Sequence, residues 1–125
     1  MNNNIHLETV KHNGLSLRYI TDQTEKICLT AVEQKGWSLE YVIDQTEKIS
    51  LAAIKENGWS LVCVQDQTEK ICLTAVRQNG MILKHVLNQT ERICVEAVKQ
   101  NRSVIALIRD EPLREKVKAF LDSST

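Results

Sequence analysis

Four cysteines, three histidines and a row of carboxylates are the residues of this chain that could do chemistry. A cysteine nucleophile needs a neighbouring base to hold it as a thiolate. Cys63 and His85 stand 22 residues apart, the spacing of a repeat that runs along the chain, so they occupy one repeat position. Tyr19, Tyr41 and Leu107 fill the same position elsewhere, which reads as interchangeable fillers rather than a catalytic pair. His6 and His12 sit in unrelated local settings. Cys28, Cys72 and Cys94 are 44 and 22 residues apart, with no Cys-x-x-Cys pair to pre-form a zinc site. Glu25, Glu47, Glu69 and Glu91 resemble a catalytic row only out of context, because each falls in the first turn of an expected helix, where negative charge suits the dipole. Asp22 stands four residues before Lys26, and its copies repeat this, which predicts a weak ion pair on the helix. Asn88-Gln89-Thr90 and Asn101-Arg102-Ser103 match a glycosylation acceptor that only a secreted chain could use. The expectation is a non-enzyme: no catalytic residue, no metal and no cofactor.

The elements that carry these residues come from one unit copied. Asp22-Gln23-Thr24-Glu25-Lys26-Ile27 returns at 44–49 and 66–71, and as Asn88-Gln89-Thr90-Glu91-Arg92-Ile93. All four glycines, Gly14, Gly36, Gly58 and Gly80, share one position, and Ala31, Ala53, Ala75 and Ala97 share another. The organisation is a single repeat domain over 1–125. It comprises a half unit at 1–21, repeats at 22–43, 44–65, 66–87 and 88–109, a capping helix at 110–121 and a polar tail at 122–125. A fixed period of this size means a stacked array.

Each unit reads as two helices. Asp22 with Glu25 matches a capping box, with Thr24 as a rival cap. Ile27, Cys28, Ala31 and Val32 form one apolar stripe. Gly36 stands where a left-handed end-cap wants glycine, and Asn13, Asn57 and Asn79 beside its copies tolerate that conformation. A shorter helix is expected from Ser38 to Ile43. The fold class is therefore all-α, a solenoid-like stack of helix-turn-helix repeats with a C-terminal capping helix. A continuous right-handed coiled coil would bury a glycine and a fresh cap inside every helix, and the strand pattern of leucine-rich repeats is absent. In the tail, Pro112 marks a helix start, and Leu113, Val117, Phe120 and Leu121 make its apolar stripe. The apolar run Val104–Ile108 is expected to lie under this cap, with a homodimer contact as the other reading.

Composition narrows the function classes. Sixteen basic residues balance sixteen acidic ones, which argues against a bulk nucleic-acid binder. No stretch approaches a membrane span, the start lacks a secretory signal, and cysteines recurring at one core position fit a reducing, cytoplasmic setting.

The run Gln-Thr-Glu-Lys-Ile-Cys-Leu-Thr-Ala-Val-x-Gln-Asn-Gly-x-x-Leu-x-x-Val resembles the domain-of-unknown-function 4116 repeat, found in tandem in protists, giant viruses and intracellular bacteria such as Legionella and Coxiella. The resemblance spans nearly the whole chain and weakens at residues 1–8 and after Arg102, which replaces the expected glycine. It implies a helical repeat scaffold. A small stand-alone array of this kind is also similar to a short Legionella regulatory protein that inhibits secreted enzymes which deamidate or crosslink ubiquitin. The resemblance therefore implies a regulator acting on an effector enzyme of the ubiquitin pathway, in bacterial or host cytosol.

Positions where the units differ should carry specificity. Leu15, Trp37, Trp59 and Met81 follow the four glycines, and Trp is over-represented among binding hot spots. Arg18, Glu40, Val62, Lys84 and Ala106 form a second variable line, and Tyr19, Tyr41, Cys63, His85 and Leu107 a third. Lys11, Glu33, Lys55, Arg77 and Lys99 form a mostly basic fourth line. The candidate partner-binding residues are Leu15, Trp37, Trp59, Met81, Tyr41, Arg77, Lys84 and His85. The expected function is a protein–protein interaction module that inhibits an enzyme. The alternative is a passive scaffold or self-assembly module.

Overall fold

Helices of ten residues are too short to hold themselves in water, so each repeat must find its core in its neighbours. The computed structural model describes residues 2–123, with side chains from Asn4 onward. Six α-helices alternate with five 3-10 helices. In chain order they are α1 (Asn2–His12), η1 (Gly14–Tyr19), α2 (Glu25–Gln34), η2 (Gly36–Tyr41), α3 (Glu47–Glu56), η3 (Gly58–Cys63), α4 (Glu69–Gln78), η4 (Gly80–His85), α5 (Glu91–Gln100), η5 (Arg102–Leu107) and α6 (Glu111–Ser123). The class is all-α, and within each compact unit the repeats pack side by side in solenoid fashion. Residues 1–66 and 67–125 form two compact units, the first holding α1–α3 and η1–η3.

Each repeat turns a largely apolar edge inward. In the first unit Leu17, Ile27, Leu39, Ile54 and Leu61 are buried; in the second Ile71, Leu83, Ile93 and Ile108 are. Each such side chain contributes roughly 2 kcal/mol on leaving water. Residues 1–21 keep the repeat motif only in their second half, yet they build both helices of a unit.

Four local expectations change in the structure. The N-cap is Thr, not Asp: Thr24, Thr46, Thr68 and Thr90 each accept a hydrogen bond from the N–H three residues on, at 3.2 or 3.3 Å. Asp22 lies three residues before the helix, which is why the anticipated pair with Lys26 does not form. Instead Lys48 reaches Glu25 of the previous repeat, at 3.2 Å. The second helix is a 3-10 helix that begins at the glycine rather than after it.

The glycine itself is not a left-handed cap, since no described residue has positive φ. Its role is close approach. A Cβ on Gly14 would lie 2.3 Å from the carbonyl oxygen of Ala31, and on Gly36 or Gly80 it would lie 2.6 Å from Ala53 or Ala97. Only glycine lets one repeat settle onto the helix of the next. The neighbouring asparagines are extended, and Asn13, Asn57, Asn79 and Asn101 cap the 3-10 helices by accepting the N–H two residues on.

The repeated glutamine is the inter-helix clamp. Gln23 donates to the carbonyls of Ile20 and Tyr41, at 3.0 and 2.8 Å, and accepts from Ile43 N–H at 3.0 Å. Gln45, Gln67 and Gln89 repeat the fork 18 and 20 residues ahead. One half-buried amide thereby satisfies backbone groups that a loop would otherwise leave to water.

Both ends of the array depart from the pattern. Thr9 replaces the alanine and turns its hydroxyl onto Ile5 O, at 2.8 Å, while Ile5 is exposed where its copies are buried. In the tail, Pro112 takes the threonine position, so the cap moves to Asp110, which accepts from Leu113 N–H at 3.0 Å. Helix α6 packs on α5 and η5 through buried Val117 and a 3.1 Å Lys116–Glu91 pair. Its cover of Val104–Ile108 is incomplete: Val104 and Ile108 are buried, Ile105 and Leu107 half-buried, and Ala106 exposed. Residues 124–125 of the expected tail lie outside the described residues.

Candidate functional site: the outer face of the 3-10 helices

A 3-10 helix has three residues per turn, so residues i and i+3 eclipse. In η1, η2 and η3 this pairs Leu15 with Arg18, Trp37 with Glu40, and Trp59 with Val62. The buried side of each helix is taken by Leu17, Leu39 and Leu61, together with Ser38 and Ser60. What remains outward is the variable set. Trp37 is 38% exposed and Trp59 and Leu15 are half-buried, so the residue after the glycine seals the repeat with one edge and shows the other to solvent.

Arg18 organises this face in the first unit. Its guanidinium lies 5.3 Å from the ring centre of Tyr19 and 5.4 Å from that of Tyr41 in the next repeat. Such stacking holds the planar fork in one orientation. Tyr19 is 78% exposed and Ile43, just past η2, is 67% exposed. Every Trp and Tyr of the chain lies on η1–η3. Arg18, Tyr19, Glu40 and Ile43 were not singled out as partner-binding from the sequence. The variable lines flagged the first three, but the stacking across repeats is a spatial fact with no local signature.

In the second unit Met81, 37% exposed, eclipses exposed Lys84 on η4, with half-buried His85 beside them. Arg77 is elsewhere: it lies on α4 and pairs with Glu96 of α5 at 3.4 Å. The fold therefore gathers Leu15, Trp37, Trp59 and Tyr41 on one unit, gathers Met81, Lys84 and His85 on the other, and leaves Arg77 on the α-helical side.

The thiols are poorly disposed to nucleophilic chemistry. All four are free. Burial pushes Cys72 and Cys94 up to about 11, and raises Cys28 and Cys63, with Asp44 and Glu40 adding to the effect. A catalytic cysteine needs the opposite shift. Cys28 and Cys72 point their Sγ at the clamp glutamines Gln23 and Gln67, at 3.4 and 3.6 Å. Among the described residues no three His, Cys, Asp or Glu side chains converge as metal ligands, and no helix is long and apolar enough to cross a membrane.

The grooves are shallow. One of about 490 Å³ between α2 and α3 has a floor of Leu29, Leu51 and Ala52 and a rim of Glu33, Lys48, Lys55 and Glu56. Searches for a matching family model, curated protein or solved structure return none.

Proposed function

We propose that this chain is a non-enzymatic protein-binding module that inhibits an enzyme, and that the enzyme is an effector acting on ubiquitin. One observation carries the binding part of this reading. The recurring apolar, threonine and glutamine residues are consumed by core, caps and clamps, while the variable positions after each glycine and at the end of each 3-10 helix keep an exposed or half-exposed side chain, and all Trp and Tyr fall among them on η1–η3. Aromatic side chains with one sealed edge and one open edge anchor partners at low entropic cost. Occupying a cleft or a substrate-docking surface needs no bond chemistry, which agrees with four thiols shifted away from reactivity. The choice of a ubiquitin-directed enzyme, and of a cytoplasmic setting, rests on the likeness to the domain-of-unknown-function 4116 arrays.

A passive scaffold that polymerises end to end is the rival. Arg102 speaks against it, because it stands at the position where even a Cβ would strike the next repeat's carbonyl in the standard register. The test is direct. Purified chain is added to a ubiquitin-deamidating or ubiquitin-crosslinking enzyme, and ubiquitin conversion is followed by intact-mass spectrometry. Conversion should stop at stoichiometric chain. Conversion that continues unchanged at saturating chain rejects the inhibitory reading.

A further inference from the structure

An asparagine followed by glycine is open to attack by the main chain on its own side chain. Glycine puts no Cβ in front of its amide nitrogen, and asparagine is a thermolabile residue. The chain has three such pairs at one repeat position, Asn13-Gly14, Asn57-Gly58 and Asn79-Gly80. Each asparagine accepts the N–H two residues on, at 3.1 Å from Leu15 and Trp59 and 2.9 Å from Met81. That bond polarises the side-chain carbonyl and keeps it folded back along the main chain. In electrophile the three sites are therefore alike.

The nucleophile is what differs. Gly14 N–H is held by Gln34 Oε1 of the next repeat, at 2.7 Å. Gly58 is engaged as well. Gln100 is the copy of Gln34, yet its closest approach to the Cβ site of Gly80 is through its own Cβ, at 3.5 Å. Gly80 N–H has no hydrogen-bond partner among the described residues. Asn13 and Asn79 are both exposed and Gly14 and Gly80 both buried, so solvent access does not separate the two sites.

We infer that Asn79 is the site at which this chain deamidates without an enzyme, ahead of Asn13 and Asn57. The Gly80 nitrogen gives up its proton and bonds to Asn79 Cγ. The bond from Cγ to the side-chain nitrogen breaks, and that nitrogen leaves as ammonia with the proton. Water then opens the five-membered imide. Cleavage at Cγ leaves aspartate; cleavage at the main-chain carbonyl leaves isoaspartate, which lengthens the main chain by one carbon. At Asn13 the same step must first break the bond between Gly14 and Gln34. One neutral hydrogen bond of about 1 kcal/mol corresponds to a roughly fivefold slower reaction. This goes beyond the enzyme-binding reading and does not rest on it.

The test incubates the folded full chain in mildly alkaline buffer and follows it by peptide mapping that resolves aspartyl and isoaspartyl products. Asn79 should convert first, ahead of Asn13 at about that ratio. Gln34→Ala, at an exposed side chain, should bring Asn13 up to the rate of Asn79 and leave Asn79 unchanged. Asn79→Ser keeps a capping oxygen on η4 and should remove the dominant product. In concentrated urea, where no glycine amide is held, the three rates should converge. Equal rates in the folded chain, a lead by Asn13 or Asn57, a Gln34→Ala variant whose Asn13 stays slow, or an order that persists in urea would each overturn the assignment.

Discussion

The two units share a frame and differ in what they show to solvent. Residues 1–66 carry nine acidic and six basic residues, net −3; residues 67–125 carry seven and ten, net +3. The chain's overall neutrality is the cancellation of these two. All Trp and Tyr belong to the first unit, and the matching outward positions of the second hold Met81, Lys84 and His85. Beneath the surface the same glutamine forks, threonine caps and close-approach glycines recur in both. The contrast teaches that the copied residues specify architecture and the divergent ones set what each unit shows to solvent, with the first unit the richer in aromatic side chains.

That comparison can be broken most forcefully at the glycines. Gly14→Ala and Gly80→Ala should each cost about 3 kcal/mol, since the new Cβ meets backbone that cannot swing aside. Arg102→Ala, at the same position, should shift stability by less than about 0.5 kcal/mol. Native-state hydrogen exchange reads the two units separately; a glycine substitution tolerated in one unit alone would show that the frame is not shared. Next in size are the clamps. Gln45→Ala in the first unit and Gln67→Ala in the second should each lose about 2 kcal/mol, because backbone groups are left without partners. Unequal losses would again divide the frames.

A smaller effect separates the units instead. The first buries the hydroxyls of Ser38 and Ser60 with no hydrogen-bond partner, where the second places Ile82 and Val104. Ser38→Ala and Ser60→Ala should therefore stabilise the first unit by up to about 1 kcal/mol, measured by urea denaturation. Destabilisation would mean that the hydroxyls are bonded in solution. The smallest effect is alkaline. Burial raises the thiol pKa values, so the fold favours the protonated form and the unfolded chain loses its protons first. Stability should be flat below pH 9.0 and fall as pH climbs towards about 11, more in the second unit, where Cys72 and Cys94 carry the larger shifts.

Much of this frame was legible in the sequence, and the misreadings have a common cause. Period, helical class and core positions such as Val32, Leu39 and Val42 follow from apolar spacing alone, which is a local property. Gly36 reads as an end-cap from its neighbours alone, and only the carbonyl of Ala53, seventeen residues away, shows that its role is close approach. Gln23 looked like part of a capping motif because its partners lie 18 and 20 residues ahead. Thr24 displaced Asp22 as the cap because the helix starts two residues later than the acidic pattern suggests. At the candidate site, variability pointed to Trp37, Trp59 and Tyr41, but how much of each ring the neighbouring repeat covers is set by packing. Arg18 gained its importance from two rings in different repeats.

The claim that divergent outward positions carry function is tested most directly by Trp37→Ala, read out in two ways on one sample. The account predicts a stability loss of only about 1 kcal/mol, with capture of the ubiquitin-directed enzyme proposed as the partner weakened roughly tenfold or more. A variant that unfolds, or one that captures the enzyme as well as the wild type does, would contradict it.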